Sequence, residues 1–347
     1  MKTSRLAALA GAVALTLTMT ACGSSDDSSD DAKAGDSTAS AAFPVTVEHK
    51  YGTTEVKSEP KRIVTIGLTD QDSVLAMGTV PVAVTEWFGK ADGRIFAWAD
   101  DEFAAGANPL GDGKRPEILK DEKQFEKIAA LKPDLITAVY SNMSQQDYDL
   151  LSKIAPVVAA PKGDVPYTTA WQDQTELIGT AMGKKDQALQ MIADVEAKLA
   201  KAAADHPEFK GKKAATAGIY EGIFVYRDTD PRGRLLTSLG FVFPDNLRKY
   251  TDKGEFGVSI SAENAAEIDT DLVVWVTSKD EVTKAVPTYG NLALSKEGKD
   301  VFLGMDDNDP YYIASSFVTV LSLPFYLDEI VPRLAAAVDG DPATSSD

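Results

Sequence analysis

Cysteine is nearly absent from this chain: Cys22 is the only one in 347 residues, so no disulfide can close within it. Histidine is almost as scarce. His49 and His206 stand far apart in sequence, whereas a site for bare zinc or manganese would want clustered imidazoles and carboxylates. No Gly-x-Ser-x-Gly elbow, glycine-rich phosphate loop or dinucleotide fingerprint occurs, which removes the usual sequence signs of a hydrolase or a nucleotide enzyme. Basic runs are missing too, and 53 acids against 35 bases leave a net charge of −18, which argues against nucleic acid as a partner. The longest apolar run, Leu6 to Met19, is too short to span a bilayer.

That run follows Lys2 and Arg5 and ends in Met19-Thr20-Ala21-Cys22. It reads as a signal peptide over 1–21, and its end resembles a bacterial lipobox with Met19 where Leu is usual. Cys22 would then carry lipid and hold the chain at the outer face of a membrane. Residues 22–42 are Ser, Asp, Ala and Gly with no large apolar side chain, the composition of a disordered tether. A flexible tail is expected over 340–347.

Between these ends, two stretches are built alike. Glu126 to Ile136 and Glu263 to Val273 each open on Glu, pass through a short helical pattern and reach Asp-Leu eight residues on, at Asp134 and Asp271. One copy in each half predicts two α/β lobes of related design, over 43–183 and 206–339, rather than a solenoid. Short apolar runs such as Arg62 to Ile66, Leu135 to Val139, Ala214 to Tyr220, Leu272 to Thr277 and Val301 to Met305 alternate with helical patterns, as in a doubly wound sheet. A last helix is expected over Phe317 to Val338, bent near Pro324. Ala188, Met191, Ile192, Val195 and Leu199 recur at helical spacing between the halves. They predict one rigid helix over 184–205 joining the lobes.

Two lobes imply a cleft, and open α/β sheets bind ligands where strands run into helices. Aromatic and Arg residues at those junctions are the candidates for lining it. In the first lobe these are Trp87, Arg94, Trp98 and Tyr140; in the second, Tyr220, Tyr226, Arg227, Arg232, Tyr289, Tyr311, Tyr312 and Phe317.

Phe125 to Ile136, with Ser261-Ala262-Glu263 and Asp271 to Val274, resembles the paired signatures of the iron-complex and cobalamin substrate-binding proteins of ABC importers. Pro60 to Val64, Gly78 to Val84 and Ser322-Leu323-Pro324 fit the same pattern, which runs from about Pro44 to Ala337. The resemblance implies an α/β fold with two Rossmann-like lobes joined by a single long rigid helix, the helical-backbone type of periplasmic binding protein. It also implies a monomeric, non-enzymatic receptor that captures a ferric siderophore and delivers it to a dimeric ABC permease with a cytoplasmic ATPase. Glu126 and Glu263 would engage the two permease subunits, an arrangement that suits a two-fold partner. No cofactor is expected, since iron would enter only inside its chelate, and Arg beside aromatic walls suits a bulky, partly anionic complex. Cobalamin or haem is the alternative cargo, and an exported enzyme or adhesion module on the same fold is the lesser alternative.

Overall fold

The computed structural model describes residues 43–251, 256–304 and 306–344. The expected signal peptide, Cys22, the tether, Met305 and residues 345–347 lie outside the described residues. A hairpin opens the fold, β1 (Val45–His49) pairing antiparallel with β2 (Gly52–Val56). The first lobe is then built on β3 (Ile63–Thr65), β4 (Ala83–Thr85), β5 (Glu117–Leu119), β6 (Leu135–Ala138) and β7 (Val157–Ala159). They form an all-parallel sheet in the order β5-β4-β3-β6-β7. Every residue of β3, β4, β6 and β7 is buried, because helices cover both faces of a parallel sheet.

The second lobe repeats the order with β8 (Ala214–Ile219), β9 (Ile223–Tyr226), β10 (Gly257–Ile260), β11 (Leu272–Trp275) and β12 (Asp300–Phe302), arranged β10-β9-β8-β11-β12. Only β9 runs against its neighbours, through a tight turn at Glu221-Gly222. Both turn residues have positive φ, and a Cβ on Gly222 would lie 2.5 Å from the carbonyl oxygen of Ile260, so glycine is required there. In each sheet the chain reverses direction of travel beside its first strand, between β3 and β6 and between β8 and β11. The carboxyl ends at those switch points frame the cleft.

One helix, Lys185–Asp205, joins the lobes and buries Ala188, Ile192, Val195 and Leu199 along a single stripe; its 21 residues span about 32 Å. At its start it lies close against helix Trp171–Ala181, where a Cβ on Gly179 would come within 2.4 Å of that of Ala188. Farther along, the Lys198 ammonium donates to the Pro324 carbonyl at 2.6 Å and pairs with Asp328 at 2.8 Å. That fastens the joining helix to the last helix, Ser322–Val338. The last helix starts five residues later than the sequence suggests. Pro324 sits in its first turn, where a missing N–H costs nothing, and the proline within its interior is Pro332. The largest apolar cluster runs from Val74 and Leu75 in the first lobe through the joining helix to Leu235, Leu236 and Leu323. The lobes share a core.

Candidate functional site

The first-lobe wall of the cleft is laid down by four strand ends. Trp87 and Phe88 follow β4, Lys120 to Glu122 follow β5, Tyr140 and Ser141 follow β6, and Tyr167 lies in the loop after β7. Tyr167 has a φ of +59°, a conformation that bulky side chains rarely adopt. A cavity of about 230 Å³ opens among Thr85, Glu86, Glu122, Ser141 and Tyr167. Beneath it the fully buried carboxylate of Asp70 accepts from the backbone N–H groups of Val139 and Tyr140, at 2.9 and 3.0 Å, and from Gln174 at 2.8 Å. Burial pushes its pKa up while these donors oppose the shift. Asp70 thus fixes the peptide that carries Tyr140 rather than presenting a charge to the cleft. A Cβ on Gly67 would overlap that carboxyl group at 2.2 Å, so the turn into the first helix must be glycine.

The second-lobe wall centres on helix Pro231–Ser238. Asp230 caps it by accepting the Arg232 N–H at 2.9 Å. The Arg232 guanidinium folds back onto Asp230 at 3.0 and 3.1 Å and donates to Ser316 Oγ at 2.8 Å. It also lies 4.3 Å from the centre of the Tyr226 ring. Burial pulls its pKa down, but Asp230, Tyr226 and Tyr140 outweigh burial and raise it. Tyr140 titrates higher than usual, first because it is buried and then because Asp230 is near, with Arg232 opposing. The two walls therefore approach each other at Tyr140 and Arg232. They touch at Phe88 and Tyr312, with ring centres 5.7 Å apart.

Of the residues expected to line the cleft, Trp87, Tyr140, Tyr226 and Arg232 come together; Trp87 stands 6.3 Å from Tyr140. Tyr220, 67% exposed, stands at the rim beside Phe224. Arg227, next to Tyr226, has its own partner within the chain. Of the remaining six, all but Tyr312 are placed elsewhere. Arg94 is buried at φ +57° and bonds Glu86 at 2.8 Å and the Gly89 carbonyl, so it shapes the Trp87 loop from behind. Trp98 stacks on Phe96 at 4.8 Å and donates to Asp72 at 2.8 Å inside the protein. Tyr289 is 2% exposed, packed edge-on against Trp275 in the second-lobe core with its hydroxyl donating to Asp300. Tyr311 stacks on Phe325 of the last helix at 4.8 Å, whereas its neighbour Tyr312 faces the cleft. Phe317, 1% exposed, is wedged between Trp87 at 4.7 Å and Phe96 at 4.8 Å. It joins the lobes at the inner end of the cleft and offers cargo little surface.

The candidate list missed Tyr167, Phe224 and Glu122. The first two are ordinary loop and strand aromatics in sequence; Glu122 sits in an acidic loop with no periodicity to mark it.

Glu126 and Glu263 are both exposed. Each lies in the first turn of a short helix, Phe125–Ala130 and Ala262–Ile268, that leaves the carboxyl end of β5 or β10. β5 runs parallel to β6, and β10 runs in the direction of β11, so both glutamates lie on the cleft side of their sheets. The partner acids do a different job at the opposite ends. Asp134 accepts from the N–H groups of Lys61 and Arg62 at 2.9 and 2.8 Å, and Asp271 from that of Lys213 at 2.8 Å.

Residues 118–299, just over half the chain, match the periplasmic binding protein family. The chain belongs to that family. YfiY of Bacillus subtilis (strain 168), named as a probable siderophore-binding lipoprotein, is 29% identical over 284 residues, covering 79% of this chain and 80% of its own. Among solved structures, a periplasmic solute binding protein from Mycobacterium smegmatis is 31% identical, covering 85% of this chain and 99% of that one with a TM-score of 0.72. PiaA of Streptococcus pneumoniae, solved in complex with ferrichrome, is 29% identical, covering 86% of this chain and 99% of its own with a TM-score of 0.71.

Proposed function

We propose that this protein is an extracytoplasmic receptor that takes up a ferric siderophore between its lobes and delivers it to an ABC permease. The observation that carries this reading is the meeting of Trp87, Tyr140, Tyr226 and Arg232 at the carboxyl ends of both sheets, where an apolar, partly hydrogen-bonding surface faces a bulky complex. Iron held by its own chelator needs no protein ligand, in keeping with a cleft walled by rings. Lipid on Cys22 would keep the receptor at the outer face of the membrane. Glu126 and Glu263, each at the start of a helix that favours negative charge, would meet basic residues of the two permease subunits. No bond to the cargo is made or broken, so the receptor is not an enzyme in this reading.

Tryptophan fluorescence tests it. Ferric chelates should quench the purified protein at submicromolar concentration, and silence across hydroxamate, catecholate and carboxylate chelates would overturn the reading.

A further inference from the structure

The arginine that faces Tyr140 and Tyr226 in the cleft is already committed, and Arg234, which also bears on Tyr140, shares a groove with the Asp173 carboxylate. Arg232 is bonded to Asp230 at 3.0 Å; behind the walls Arg94 is bonded to Glu86 at 2.8 Å and Arg248 to Asp228 at 2.6 Å, each of these three carboxylates coming from the same lobe as its partner. Arg227 also has a partner within the chain. The first-lobe cavity adds Glu86, Asp121 and Glu122 against the single cation Lys120. Glu122 titrates above its usual range, chiefly from burial and next from Asp147, with Asp121 adding to the shift and Lys123 opposing it. It reaches Tyr167, and on the other wall Asp307 reaches Tyr312. Both aromatic walls therefore carry acid behind or beside their rings.

We infer that the cargo is a ferric chelate of zero or positive net charge, a tris-hydroxamate, and that Asp121 and Glu122 turn away anionic chelates. This rests on the reading of the cleft as a ferric siderophore site. Three hydroxamates cancel the ferric charge, leaving a complex whose amide and methylene surfaces match the rings. A linear one with a free ammonium group gains an attraction to the acidic loop after β5. Three catecholates instead leave three negative charges, and ferric citrate is also anionic. Such a complex needs free cations, and here it would meet the Arg232 guanidinium, whose charge is spent on Asp230, and the acids after β5. The partly anionic complex expected from the arginine count alone is thereby replaced, since a paired Arg is a neutral hydrogen-bonding unit to an approaching ligand.

The test is a titration of the protein at low ionic strength with ferrichrome, ferrioxamine B, ferric enterobactin and ferric dicitrate, followed by tryptophan quenching and calorimetry. The neutral and cationic hydroxamates should bind at least about tenfold more tightly than either anion, with the gap narrowing as salt is added. In an Asp121→Asn, Glu122→Gln variant, the ratio of ferrioxamine B to ferrichrome affinity should fall and binding of ferric enterobactin should rise. An anionic chelate bound as tightly as the hydroxamates, or a ratio that the variant leaves unmoved, overturns this inference while capture of a ferric siderophore stands. Binding of no chelate overturns the proposed function itself.

Discussion

Thr319 donates its hydroxyl proton to the carboxylate of Asp72 at 2.6 Å, across 247 residues of sequence and from the approach to the last helix into the first helix of the other lobe. The same carboxylate oxygen accepts the Trp98 indole N–H at 2.8 Å. Both ends of this link are fully buried. It is a latch between the lobes.

The latch should make stability depend on pH. Burial raises the Asp72 pKa from 3.8 to about 7, with Thr319 and Trp98 opposing and Glu102 adding slightly. A carboxyl whose folded pKa lies above its unfolded one is held protonated by folding. Its contribution is complete below the unfolded value and is lost as pH rises through the folded value. Stability should fall by roughly 3 kcal/mol between pH 5 and pH 8, read as a lowered melting temperature. Asp72→Asn keeps an oxygen for both donors and should flatten that slope. A slope that survives in the variant would assign the titration to another group.

Why some of this was readable beforehand is a matter of what each signal reports. The matched spacing of Glu126 with Asp134, and of Glu263 with Asp271, was visible because one strand-entry bond, carboxylate to backbone N–H, is made twice. The joining helix showed in its stripe of Ala188, Ile192, Val195 and Leu199, since periodicity records burial directly. β5, β9 and β10 leave no comparable trace: three or four residues hold too little periodicity, and β9 reverses direction at a turn that only Gly222 announces. Aromatic residues at strand ends were the least legible. Tyr311 and Tyr312 are adjacent, yet one helical step of about 100° sends the first to Phe325 and the second to Phe88. Sequence names the ring and is silent on its direction.

Ring direction makes the four tryptophans unequal reporters. Trp87 is half-buried on the cleft wall, Trp171 lines a groove beside the joining helix, and Trp98 and Trp275 lie in cores. Trp87→Phe should remove most of the quenching by a ferric chelate while Trp275→Phe removes little. Trp87→Ala should weaken binding by about 2 kcal/mol, read by calorimetry. Quenching that persists without Trp87 would move the cargo away from this wall.

Docking and capture should separate at the two exposed glutamates. Neither Glu126 nor Glu263 has an ion-pair partner among the described residues, so reversing their charge disturbs little within the fold. The double Glu126→Lys, Glu263→Lys protein should bind its chelate as before, yet support no iron uptake in cells lacking the unaltered receptor. Each single reversal should cut uptake part-way, because one lobe would still present its acid. Uptake at the ordinary rate in the double variant would remove these residues from the permease contact.

Stiffness of the joining helix can be set against the latch. Ala193 and Ala197 face solvent between the buried positions Ile192, Val195 and Leu199, so glycine there leaves the packed stripe intact while loosening the backbone. Each replacement should cost about 1 kcal/mol of helix stability. Inserting residues would be a poorer probe, because two extra positions would rotate Leu199 off the stripe by roughly 200°. If the helix restrains the lobes to a small twist, Ala193→Gly with Ala197→Gly should release the chelate about tenfold faster, equivalent to about 1.4 kcal/mol. Stopped-flow displacement measures this directly. Release at the unaltered rate would shift the restraint to Asp72–Thr319 and to Phe317 wedged against Trp87, where Thr319→Val should then have the effect that the glycines lack.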